Sequence, residues 1–453
     1  MERKQTTVVY QAEPSGRPAV NPHKGYVMTV HDPYAFSPDN PLGIGGAMHN
    51  HAWDVVRICS GSPFWKNLNP AEGVYTWDSI DAILDVCGKI GMTYGIRAMP
   101  YSTAVGPHDN FGRAHDFVPD YVYEKGAKHT DAVLKSDRSI HIRVPDWSDP
   151  VYLAACKDFA KAMAEKYDDD PRVEFVDIRP FGNWGEWHNS QYVGSEMPSE
   201  EIQMDMLDYY ASVFKKTTLA LPSDAEGAVY RHALSVGITK RDDGMIEIPY
   251  RERDLLPAYE ANLPTIAENY APYVMMLRVP DNNPAGYHKW TPERFRRVIE
   301  GGHLSIFALD QSSDNSYRFY AEQKDVIDEM VNRMGYNFTV TSAVREQNRL
   351  EITVRNTGLA PCFFNIDLCA EITDENGNII EPFGRPVRIE KGTFRDETEK
   401  TFVFEYDGAL SEPAILCLSM YESDNQLVAG KDPTVKFDNK NTLPNNRLML
   451  VRA

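Results

Sequence analysis

The chain has 453 residues, too many for one ordinary domain but suited to an α/β barrel with a smaller partner. Its 42% apolar, 11% aromatic and 25% charged residues describe a globular protein with ample core material and exclude a disordered chain. The 66 acidic against 47 basic side chains give a net charge of -19 without a basic cluster, which excludes nucleic acid as a partner, and no run nears the roughly 18 apolar residues of a membrane span.

Met1-Glu-Arg-Lys-Gln-Thr-Thr lacks the apolar core of a secretion signal, so the expectation is a cytoplasmic chain with residues 1–20 as an N-terminal extension. From residue 21 to 336, strand-like apolar runs alternate with segments of helical period, the pattern of a (β/α)8 TIM barrel. The runs are GYVMTV (25–30), DVVRICS (54–60), TYGIRAM (93–99), VEFVDIR (173–179), TTLALP (217–222), GITKR (237–241), PTIAEN (264–269) and LSIFALD (304–310). Helical patterns such as WDSIDAILDVCGKIG and DPVYLAACKDFAKAMAEKY lie between them. Residues 337–453 change texture to short alternating runs, RLEITVRNTG, FNIDLCAEIT, KTFVFEY and AILCLSMY, with DENGN as a hairpin turn, and predict an all-β sandwich. All seven tryptophans precede this second region, so binding chemistry is expected in the barrel.

Cys59, Cys87, Cys156, Cys362, Cys369 and Cys417 are scattered without CxxC spacing, which predicts neither a zinc site nor a disulfide framework. His49 and His51, with His188, lack a carboxylate partner at ligand spacing, so no metal is expected. There is no GxSxG, no P-loop and no GxGxxG with its acidic partner, and no cofactor is expected.

Two carboxylates stand out. A TIM barrel gathers its active site at the C-terminal ends of its strands. Glu186 follows the fourth strand in FGNWGEWH, between Trp184 and Trp187; exclusion of water there would raise its pKa and suit it to donate a proton. Glu268 ends the seventh strand, across the barrel mouth. A separation of about 5 Å would predict a retaining glycosidase, in which one carboxylate attacks the anomeric carbon and the other handles the proton.

The segment RICSGSPFWKNLNPAEGVYTWDSIDAILDVCGKIGMTYGIR resembles the family-42 β-galactosidases and their relatives in glycoside hydrolase clan A. NPHKGY and RLEITVRNTGLAPCFF are similar to a group that joins a galactosidase-like barrel to a C-terminal β-sandwich. The resemblance implies Glu186 as acid/base and Glu268 as nucleophile. Clan members place Asn before the acid/base, where it meets the sugar 2-hydroxyl; here Gly185 stands there, with Asn183 as a substitute.

Arg57 and Arg97, read as ending the second and third strands, are alternative candidates to hold Glu268 ionised and to bind substrate. Trp65, Trp184, Trp187 and Trp290 are candidates to stack on sugar faces, and His188, either Asp242 or Asp243, and Asp310 to bind hydroxyls. The long segment after the third strand suggests a walled pocket and exo action on short glycans. The expected function is thus a retaining, exo-acting, β-galactosidase-like glycosidase with a carbohydrate substrate and no membrane partner, its homo-oligomerisation open. The rival is a carbohydrate-binding protein on an inactive barrel.

Overall fold

The computed structural model describes residues 7–11, 13–29, 55–103, 116–280, 283, 286–308, 313–408, 415–427 and 430–452, without the side chains of 7–11, 313–317 and 451–452. Asp310, His49 and His51 lie outside the described residues. The strands begin with β1 (Thr7–Gln11), β2 (Gly25–Thr29), β3 (Val56–Gly61), β4 (Thr93–Ile96), a hairpin of β5 (His129–Leu134) and β6 (His141–Pro145), β7 (Val173–Asp177) and the short β8 (Tyr192–Val193). There follow β9 (Thr218–Leu221), β10 (Thr239–Asp242), β11 (Ile266–Ala267) and β12 (Ile306–Ala308). Strands β2, β3, β4, β7, β9, β10, β11 and β12 close into a barrel through parallel pairs, and each falls on one of the eight apolar runs.

The barrel interior is packed with Val27, Ile58, Phe175, Ala220, Ile266, Ile306 and Ala308, so the barrel is a core and its chemistry is confined to the rims. Gly95 on β4 makes room for this filling: a Cβ there would lie 2.3 Å from the Phe175 ring. The outer helices turn apolar faces to the strands. Helix Pro150–Tyr167 starts where Asp149 accepts from the amides of Val151 and Tyr152, with Pro150 in the first turn, where its missing N–H costs nothing. Helix Asp78–Ile90 stops at Gly91, whose φ of 71° is left-handed.

The C-terminal region contains β13 (Phe338–Glu346), β14 (Arg349–Asn356), β15 (Ile366–Thr373), β16 (Ile379–Pro382), β17 (Val387–Ile389), β18 (Glu399–Glu405), β19 (Ile415–Glu422) and β20 (Leu448–Arg452). These strands form two antiparallel sheets, which close over a shared apolar core that includes Phe338, Ile352, Leu368 and Leu418. The residues read as an N-terminal extension contain β1, which pairs with β13 from Thr7↔Glu346 to Gln11↔Ser342. The chain therefore starts its first strand in the sheet that its last third builds.

His23 ties the barrel base to this sandwich. Its Nδ1 lies 2.8 Å from Glu174 at the start of β7, and its Nε2 lies 2.6 Å from Glu422 at the end of β19. Burial opposes a charge on His23, but the two carboxylates prevail and raise its pKa well above the usual imidazole range. Beside it, Lys24 donates to the Tyr336 carbonyl at 2.6 Å, and burial pulls its ammonium down to about 7. Arg57 belongs to this end of the molecule. It is the second residue of β3, not its last, and lines a cleft between the barrel base and the C-terminal sheet together with His23, Tyr421 and Arg447. The expectation that Arg57 holds Glu268 is corrected: the apolar run containing it extends four residues beyond it toward the opposite rim.

Candidate active site

At the C-terminal rim, β4, β7, β10 and β11 bring seven ionisable side chains together. Arg97 follows β4, Asp177 ends β7, Arg179 lies two residues on, Arg241 and Asp243 sit at the end of β10, and Glu268 follows β11. Glu186 reaches them from the loop after β7. One carboxylate oxygen each of Glu186, Asp243 and Glu268 lie within 4.8 Å of one another.

Three guanidiniums organise the rim. Arg241 donates from Nε to Asp177 Oδ2 at 2.7 Å, from Nη1 to Glu268 Oε1, and from Nη2 to Glu186 Oε1 at 3.2 Å. Arg97 donates from Nε to Asp177 at 3.1 Å and from Nη2 to Glu268 Oε1 at 3.2 Å. Arg179 spans Asp177 and Glu186, each at 3.1 Å. Asp177, fully buried, is the hub; burial would raise its pKa, but Arg241, Arg179 and Arg97 hold it below the ordinary carboxylate range. Burial and the neighbouring Arg97 and Arg241 pull Arg179 down to about 10. Arg241 shifts the other way, because Asp177, Glu268 and Glu186 outweigh its burial.

These arginines correct the expectation for Glu186. Burial does push its pKa up, as reasoned from the tryptophans, but the nearby His188 and the charges of Arg179, Arg241 and Arg97 win, and its carboxylate is held far below the usual range. His188 Nε2 lies 3.9 Å from Glu186 Oε2 and 3.8 Å from Asp224, while its Nδ1 is 2.7 Å from the Ser190 hydroxyl. Its pKa is raised, since these carboxylates outweigh the effect of burial.

The loop that carries Glu186 is a tight 3₁₀ turn. Gly182, Trp184, Gly185 and Trp187 all have positive φ, a conformation that costs the two tryptophans roughly 1 kcal/mol or more each. Backbone bonds from Asn183 N to His188 O and from Trp187 N to Phe181 O close the turn. Gly185 explains the departure from the clan pattern: a Cβ there would lie 2.5 Å from Arg179 Cβ and 2.7 Å from its carbonyl, so neither Asn nor any other side chain fits. Asn183 is buried beside it, its Oδ1 accepting from the Thr103 amide at 2.9 Å.

The tryptophans divide. Trp65 packs on Tyr152 and Phe159, Trp290 packs on Tyr273, Phe295 and Phe319, and Trp187 turns its Nε1 to the Ile178 carbonyl at 2.8 Å. All three are buried in the core, which corrects their expected role as stacking faces. Trp184 is only partly buried; it stands against Phe64, Met99 and Phe117, with its ring edge-on to His188. Asp242 is fully buried and serves the scaffold, accepting from Arg251 at 2.8 Å.

Among the described residues, Glu186, Asp243 and Glu268 are the one group of carboxylates placed to hold a metal. Their donor set contains no histidine or thiolate, and guanidiniums already occupy Oε1 of both glutamates, so the arrangement fits proton handling better than cation binding.

A family profile described as Glyco_hydro_42, beta-galactosidase, matches residues 45–180, which takes in Arg97, Asp177 and Arg179 and stops before Glu186. Over that stretch, less than a third of the chain, the sequence is similar to the β-galactosidases that the profile describes. Solved structures give distant likenesses. The catalytic domain of β-amylase from Paenibacillus polymyxa is 8% identical, covering 67% of this chain and 98% of that one at a TM-score of 0.44. Endo-glycoceramidase II from Rhodococcus sp. is 11% identical, covering 88% and 100% at 0.41. The glycoside hydrolase family 30 xylanase Xyn30A from Clostridium acetobutylicum is 11% identical, covering 86% and 97% at 0.38. No curated protein matches the chain.

Proposed function

We propose that the protein is a retaining, exo-acting β-glycosidase of the β-galactosidase-like kind, acting on short glycans. Glu268 is the nucleophile and Glu186 stands in the acid/base position. The observation that carries this reading is the approach of the two carboxylates, with an oxygen of each within 4.8 Å of the other. Inverting enzymes keep their carboxyl groups roughly 6.5 to 9.5 Å apart to admit a water, and retaining ones about 5 to 5.5 Å. Arg97 and Arg241 keep Glu268 aimed and suited to attack an anomeric carbon. Exo action draws support from the β5–β6 hairpin, which lies within the long segment after β4 and pairs with β8 from the Glu186 loop.

The arginine lock on Glu186 favours the rival, a sugar-binding barrel, because a permanent carboxylate binds hydroxyls but donates no proton. A panel of aryl glycosides assayed with the wild type and Glu268→Ala separates the two. Turnover by the wild type with a first-formed sugar of unchanged anomeric configuration, reduced at least about a thousandfold in Glu268→Ala, is the expected result. Binding of sugars without turnover of any glycoside would establish the rival.

A further inference from the structure

A carboxylate held ionised by three guanidiniums can serve as a base, but the first step of glycoside cleavage needs an acid, and the rim supplies a different one. Arg97, Arg179 and Arg241 are matched one for one by Asp177, Glu186 and Glu268. The remaining cation of the rim, His188, lies between Glu186 and Asp224 at 3.9 and 3.8 Å, no cation forms a salt bridge with Asp243 among the described residues, and Asp243 places a carboxyl oxygen within 4.8 Å of both glutamates. Its neighbour Asp242 takes Arg251 and Lys240, while the Asp243 amide donates to Asp242 Oδ1 at 3.0 Å. Like charges at this spacing cannot all ionise, so the carboxyl without a cation keeps its proton.

Resting on the glycosidase reading, we propose that Asp243 is the proton donor of the first step, and that Glu186 acts as the base of the second. As Glu268 forms its bond to the anomeric carbon, the bond from that carbon to the leaving oxygen breaks, and the leaving oxygen takes the proton of Asp243. Glu268 is now a neutral ester and Asp243 a carboxylate, so the rim stays balanced at three against three. In the second step Glu186 draws a proton from the attacking water, the ester bond breaks, Glu268 regains its charge, and the proton passes to Asp243.

The surroundings agree with this assignment. Burial, then the charges of Glu186 and Glu268, raise Asp243 to about 8 against the pull of Arg241, with Asp242 adding to the rise. The other groups that feel its charge are His188, Arg251 and Tyr270. An acid titrating there is protonated at neutral pH and still strong enough to donate.

The test pairs Asp243→Asn with Glu186→Gln in pre-steady-state kinetics on phenyl and dinitrophenyl glycosides. Asp243→Asn should slow the first step by roughly 10² to 10⁴ for the poor phenolic leaving group and by less than about tenfold for dinitrophenol. The wild type should lose kcat/KM for the phenyl glycoside above about pH 8, and Asp243→Asn should lack that limb. Glu186→Gln should keep the first step and accumulate glycosyl-enzyme. Independently of turnover, the ¹³C carboxyl signal absent from Asp243→Asn should titrate near 8 in the wild type. Titration near the ordinary value of about 4 overturns the inference, as does a leaving-group effect that appears in Glu186→Gln instead. Failure of the wild type to cleave any glycoside overturns the glycosidase reading and this role with it; a working wild type with an indifferent Asp243→Asn overturns this role alone.

Discussion

Arg241→Met should lower the unfolding free energy by about 3 to 5 kcal/mol, because it strands buried carboxylates that one guanidinium now bridges. Arg241 is itself buried and reaches Asp177, Glu186 and Glu268 with three different nitrogens. No other residue touches all three with hydrogen bonds among the described residues. Arg241→Lys separates the charge from the geometry: an ammonium keeps the positive charge but cannot present a planar fork to three acceptors. The lysine variant should therefore recover part of the stability while activity on glycosides falls about 10² to 10³-fold, since both glutamates lose a fixed hydrogen bond. Urea unfolding and steady-state kinetics read the two effects separately. A lysine variant with wild-type kcat/KM would show that the bridge serves folding only.

Gly185→Ala is the second change with a large expected effect. The methyl group would meet Arg179 at its Cβ and its carbonyl, both well inside contact distance, and φ of +68° penalises any side chain at that position. The turn must shift outward, and it carries Glu186 at the next residue, away from Arg179 and Arg241. Turnover should drop by at least about a hundredfold, because misplacement by about 1 Å is enough for such a loss. The cost in stability should be about 1 to 3 kcal/mol. Gly185→Asn, which restores the residue usual in the clan, should be worse than Gly185→Ala rather than better, because the larger side chain meets the same wall. A gain of activity in the asparagine variant would refute this account of the loop.

The barrel strands were legible because each is an apolar run bounded by polar loops, and even β11, two residues long, could be placed from Pro264 and the glutamate after it. The role of β1 was not. Its partner β13 lies more than 300 residues away, and nothing local in TVVYQ names a strand at that distance. Arg97 and Glu268 could be paired from strand ends alone. Arg179 and Arg241 escaped notice, although Asp177 and Arg179, two apart at the end of the run VEFVDIR, point to the same side of an extended chain and were a usable signal. The direction of the Glu186 shift could not be read from its own neighbours, since it depends on arginines supplied by β4, β7 and β10. The tryptophans misled for a related reason: a large aromatic near a strand end suits the core as well as the rim, and only packing partners such as Tyr152 or Phe319 decide.

The central claim is that Glu268 becomes covalently glycosylated with Glu186 and Asp243 beside it. Incubation with a 2-deoxy-2-fluoro glycoside bearing a good leaving group, followed by proteolysis and peptide mass spectrometry, tests it directly. The account predicts one added fluoroglycosyl mass on the peptide containing Glu268, lost in Glu268→Ala. Labelling of a peptide containing Glu186 instead, or turnover of the glycoside with inversion and no adduct, would contradict it.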